Sequence, residues 1–220
     1  MKNLLKPLLF LSLLIPTFAF ASDAEAAREE IIVVIHKLVW VFGFLIGLIL
    51  MISAGLKMKA ASEANGPNSN KAVIYISLLA GIIMMNSAAA LSTYIATLLG
   101  SSGGHCFVLD KDQSAGENCW SAESSGLTGQ LKDRVTKLSN ADVADTFMTN
   151  INLIVGILQV IGFIYFFVGA YGLVQVSNGS SRDGGYGKPI VTMIASALIV
   201  DIPHTAEMAV ETLEKVGVNF

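Results

Sequence analysis

Long apolar runs limit this chain more than any motif in it. Leu38 to about Leu56, about Ala72 to Leu99, about Ile151 to Val176, and the stretch from Pro189 through Val200 carry almost no charge. About 20 apolar residues suffice for a helix to cross a bilayer. Composition agrees with that reading. Charged residues make up 14% of the chain and hydrophobic ones 53%, with a mean hydropathy of +0.63, whereas about 25% charged is usual for a soluble domain. The expected fold class is an all-α membrane protein whose four transmembrane helices form two helical hairpins.

The hairpins read as one unit used twice. In the first, an apolar run ends at Gly55-Leu56, a polar loop follows, and the next run leaves from Lys71. In the second, Gly172-Leu173 and Lys188 play the same parts at the same spacing. In that register Asn86 pairs with Pro203, so both second helices lose apolar character at a similar depth.

The order along the chain sets four segments. Residues 1–21 have the layout of a cleaved signal peptide. Lys2 and Lys6 precede the apolar run Leu8 to Ile15, and Ala19-Phe20-Ala21 offers a small-x-small cleavage site. Residues 22–100 hold the first hairpin, 101–150 an extracytoplasmic linker, and 151–220 the second hairpin. His36 and Lys37 interrupt the apolar pattern early, and their expected place is the interface, beside the aromatic anchor Trp40.

Charge gives the orientation. Lys57, Lys59 and Lys71 flank the first loop, and Arg182 and Lys188 the second, against the acids Glu63 and Asp183. Short basic loops favour the cytoplasmic side. A cleaved signal peptide puts the mature N-terminus outside, so four spans bring the C-terminus back outside. The expected location is a bacterial inner membrane, with both mature termini and the linker in the periplasm.

Gly43 and Gly47 form GxxxG, and Gly162 and Gly169 lie on the third run. Small residues let helix backbones approach closely in lipid, so these four are expected helix-packing positions. The linker holds Cys106 and Cys119. An oxidising compartment favours a disulfide between them, worth about 3 kcal/mol for so short a loop. A metal site with His105 lacks a clear fourth ligand. Leu127, Leu131, Val135 and Leu138 recur at helical spacing and read as an amphipathic helix.

Four polar residues lie in or near the runs: Asn86, Gln159, Asp201 and His204. Ionisable groups inside a span mark function by default. A proton relay through Asp201 and His204 is one reading. The other places them at a wet outer rim, since Pro203 can end the helix and Glu207, Glu211 and Glu214 follow. No phosphate-binding loop, zinc-protease motif or nucleophile elbow occurs. Catalysis, cofactors and bound metals are not expected. A net charge of −3 gives no basic face for nucleic acid.

The paired hairpins, with Gly55-Leu56 and Lys71 matched by Gly172-Leu173 and Lys188, resemble small hydrophobic inner-membrane proteins of type IVB secretion and conjugative transfer systems. The similarity is to the IcmC/DotE, DotV and IcmD/DotP group and, more distantly, to conjugative pilins. It spans about Trp40 to Leu99 and about Asn152 to Leu213. It implies a non-enzymatic structural role, with membrane lipid and other machine subunits as partners and self-association possible. Two other functions fit the residues. One is a pilin-like filament subunit, which the second hairpin and the Cys-bearing linker argue against. The other is a small channel or transporter, which needs Asn86, Gln159, Asp201 and His204 along one polar path.

Overall fold

The computed structural model describes residues 24–63, 71–99, 107–109, 141–180 and 185–217. Among them every regular element is an α-helix. In chain order these are α1 (Ala24–Glu63), α2 (Lys71–Met85), α3 (Ser87–Leu99), α4 (Ala141–Ser177), α5 (Gly187–Val200) and α6 (Ile202–Lys215). Residues 1–23, which hold the expected signal peptide, lie outside the described residues. So do Cys106, Cys119, Arg182 and the expected amphipathic helix near Leu127.

Among the described residues, two helices are long and apolar enough to cross a membrane, Ala27–Glu63 and Thr149–Ser177. A third crossing exists if α2 and α3 count as one bent span. The sequence predicts one continuous helix from about Ala72 to Leu99, and another from Pro189 through Val200 that Pro203 can end. The structure breaks the first and ends the second where Pro203 allows. The first breaks at Asn86 with a bend of 97°, the second at Asp201, where φ is −107° and ψ is 45°. With 15 and 14 residues, α2 and α5 are each about 22 Å long at 1.5 Å per residue. That is short of the ~30 Å apolar thickness of a bilayer.

The two breaks have different causes. Pro203 has no N–H for the carbonyl of Ile199, and its ring disfavours helical geometry just before it. The helix therefore stops at Asp201 and restarts with proline in the first turn of α6. No proline stands at the first break, and the ladder bonds Asn86 N–H to Ile82 O (3.0 Å) and Ala90 N–H to Asn86 O (2.9 Å) persist through it. There the bend serves packing. It lays α3 down so that Leu91 and Ile95 are buried and Tyr94 meets the edge of Phe166.

Close backbone crossings build each hairpin. At Gly47, an added Cβ would stand 2.8 Å from the carbonyl oxygen of Gly81 and 2.8 Å from the amide of Met85. At Gly162 it would stand 3.1 Å from the carbonyl of Ser196 and 2.9 Å from Val200. The crossings correspond, and they correct the repeat register. One spacing separates Gly47 from Gly162, Gly81 from Ser196, and Asn86 from Asp201. It is two positions less than the spacing from Gly55 to Gly172 on which the sequence register rests. Two residues turn a helix by about 200°, so the sequence register would set opposite faces equivalent. In the corrected register Asn86 pairs with Asp201, not with Pro203.

The units stand side by side and parallel. Lys57 reaches Asn178 (3.5 Å), which brings the two loop ends together. Residues 107–109 pack at the other end, near Ile32 and Val33. The core lies where the units meet. Phe163, Phe166, Phe167 and Ala170 of α4 pack against Met84 and Leu91 of the first unit and Met193, Ala197 and Val200 of α5. Thus α4 is central and α1 peripheral. Half of the most apolar window of α4 is buried, against 17% of that of α1.

The crossing gives a direct test. Gly47→Ala is expected to cost about 1–3 kcal/mol through overpacking, read as a lower melting temperature in detergent. Gly55→Ala, where an added Cβ meets nothing within 4 Å, is expected to leave melting unchanged or raise it slightly, since alanine favours a helix over glycine. Equal melting of the two variants would dismiss the close approach.

Candidate functional site, a glutamine clamp at the broken helix

The helix break at Asp201 leaves carbonyls at the end of α5 without ladder partners. Away from water each such group is costly to leave unpaired. Side chains supply the donors. Thr205 Oγ1–H donates to the carbonyl of Leu198 (3.0 Å). Gln159 Nε2–H donates to the carbonyl of Val200 (2.9 Å). Gln159 is 2% exposed, deep in the packed face of α4.

The other end of the same amide holds the linker. Gln159 Oε1 accepts the backbone N–H of Val108 (2.9 Å). Apolar neighbours seat this short piece. Phe107 is fully buried and stacks on His36, with centroids 4.1 Å apart and planes 4° from parallel. Phe163 tilts against the same imidazole at 5.2 Å. Leu109 fills the space above Gly156, and Val160 closes the cluster. Three elements therefore meet at Gln159: the long helix that carries it, the broken helix, and the linker.

His36, expected at the interface beside Trp40, does not present its ring to the surroundings. It is 8% exposed and inside this cluster. Trp40 is exposed and stacks on Phe44. The Phe107-Val108-Leu109 anchor has no counterpart in the sequence reading. Its one sequence signal is an apolar triplet inside a polar segment.

The intramembrane polar candidates divide. Gln159 and Asp201 fall at one place, since Gln159 holds the carbonyl of the residue before Asp201. Asn86 sits at the corresponding break of the other unit, with its side chain exposed. His204 belongs to α6, with its side chain outside the described residues. Asp201 is half-buried, with its backbone N–H on Ala197 O (3.1 Å) and its carbonyl accepting from Thr205 N–H (2.9 Å).

The four expected packing glycines all meet residues of this chain. The ring of Phe167 covers Gly43. Gly47 and Gly162 make the two crossings. Gly169 lies against Pro189 O, 3.0 Å from an added Cβ, and the amide of Met193, 3.1 Å from it. Lys59 pairs with Glu63 (3.8 Å) in the exposed last turn of α1, a pair worth about 0.3–0.5 kcal/mol at most. Lys57, Lys71 and Lys188 are exposed at the same end of the bundle. Among the described residues no three His, Cys, Asp or Glu side chains come close enough to hold a metal.

Gln159→Leu keeps the volume and removes both hydrogen bonds. It is expected to cost about 1–3 kcal/mol for each buried backbone group left unpaired. The change should appear as faster amide exchange at Val108 and faster proteolysis after Phe107, before any loss of global helicity. Unchanged exchange at Val108 would mean that the clamp does not hold the linker.

No protein family, curated protein or solved structure matches the chain.

Proposed function

We propose that the chain is a non-enzymatic structural component of a type IV secretion or conjugative transfer apparatus in a bacterial inner membrane. The observation that carries this reading is how Gln159 is used. The conspicuous polar side chain of the central helix joins helix and linker backbone inside a sealed contact. A transport path would instead present that amide to a solute. Packing supports the same reading. The centre of the bundle is filled with Phe163, Phe166, Phe167 and Met84, while α1 offers a long apolar surface to lipid or to neighbouring subunits.

Both loop ends lie together, with Lys57, Lys59, Lys71 and Lys188 around them. Basic residues in short loops favour the cytoplasmic face. The proposed orientation therefore has the loops in the cytoplasm, and the linker, mature N-terminus and C-terminus in the periplasm after removal of residues 1–21. In this arrangement the broken second helices enter from the cytoplasmic side. Beyond the breaks α3 lies across the bundle, 97° from α2, and α6 carries Glu207, Glu211, Glu214 and Lys215, so both second helices end in segments suited to the outer interface.

The test is recovery of a tagged chain from gently solubilised membranes, with mass spectrometry of its companions. Co-purification with secretion ATPases and envelope core proteins is expected. Recovery free of such proteins, together with a transmembrane flux abolished by Asp201→Asn, would replace the structural role with a channel.

A further inference from the structure

One face of α4 is covered and the corresponding face of α1 is bare. In the register set by the glycine crossings, the buried residues Gly156, Val160, Phe163 and Phe167 correspond to Val41, Leu45, Leu48 and Ile52. These four are 48%, 45%, 37% and 56% exposed, and their spacing puts them in one row on α1. On α4 the row is covered chiefly by the first unit, with the linker triplet over its outer end. Val39 and Leu50 of α1 and Ile83 and Met84 of α2 belong to the cluster that holds Phe163 and Phe167, and Gly43 lies under the ring of Phe167. The covering face has its own counterpart on the second unit. Ile154, Leu158 and Tyr165 correspond to Val39, Gly43 and Leu50, and Ile154 and Tyr165 are 56% and 53% exposed.

We infer that copies of this chain associate head to tail in the membrane. The α4 face Ile154–Leu158–Tyr165 of one copy covers the α1 row Val41–Leu45–Leu48–Ile52 of the next. The contact between copies repeats the contact between units. Within the chain the ring of Phe167 lies on Gly43. At the same place between copies Leu158 meets Ile52. A large and a small residue are replaced by two of middle size, so the space is still filled. The parallel units supply the geometry. Both loop ends are on one side, so repeating the step between units keeps every copy in the same orientation, as parallel repeats in a membrane require. Such a contact uses two different faces of each copy. It closes into a ring when its rotation closes and otherwise runs on as a filament.

The inference does not rest on the secretion reading, because it concerns the chain with itself. Its test places a photo-crosslinking residue at Ile52 in the full-length chain, in membranes of cells that also make an isotope-labelled copy. The expected result is a ladder of dimers and larger products in which position 52 of one copy is joined to residues 154–165 of another. The same probe at Phe42, which is 54% exposed and about 100° round the helix from the centre of the row, should give lipid adducts alone. Three results at position 52 would overturn the inference: lipid adducts only, links within one copy, or links from 52 to 52 that mark a two-fold dimer. As a second measure, Ile154→Trp is expected to lower the yield of links from position 52 at least several-fold, with the melting temperature of the single chain unchanged. An unchanged yield would count against this face.

Discussion

Backbone-to-backbone contact at Gly47 and Gly162 is what the remainder of the bundle rests on. Between helices in lipid there is little hydrophobic gain, and close packing has to hold them together. At each crossing the carbonyl of one helix sits where a side chain would otherwise be. Drawing α2 against α1, and α5 against α4, makes each hairpin narrow. Two narrow hairpins can then share one aromatic core around Phe163, Phe166 and Phe167. Phe167 lies over Gly43, so the contact between units depends on the same small-residue logic as the contact within each.

A second constraint follows from breaking helices away from water. Every freed carbonyl needs a donor, and here Thr205 and Gln159 provide two of them. Gln159 is suited to this because its amide carries a donor and an acceptor in one planar group. It can therefore satisfy a carbonyl of the broken helix and an amide of the linker together. Cost and benefit are local. The bundle gains a fixed linker and a short α5, and it depends on one side chain at the centre of its most buried helix.

Much of the architecture was legible from composition and spacing, and the reasons for the failures are physical. The long helices and the hairpins follow from hydropathy, and GxxxG at Gly43 and Gly47 pointed to close packing. The break at Asp201 follows from Pro203. The bend at Asn86 was harder to read, because asparagine only weakly disfavours a helix and the ladder bonds survive the bend. The repeat register failed by two residues because it was set on Gly55, Lys71, Gly172 and Lys188. Gly55 and Gly172 both lie within continuous helices but are not equivalent: Gly172 packs on Pro189 and Gly55 meets nothing within 4 Å, while the crossing glycines are fixed by contact. Of the candidate site, Gln159 stood out as a polar residue in an apolar run. Its two partners did not, since a hydrogen bond to a backbone group across the fold leaves no periodic trace.

The anchoring of Phe107 changes how the bundle carries load. A pull on the chain beyond Leu109 does not first reach the end of α3. It arrives at a ring wedged between His36 and its neighbours and at the amide held by Gln159. The load then spreads into α1 and α4, whose lengths of 40 and 37 residues run through both ends of the bundle. Tension on the linker is therefore transmitted as shear along two long rods, and the short, bent helices are spared from being peeled away.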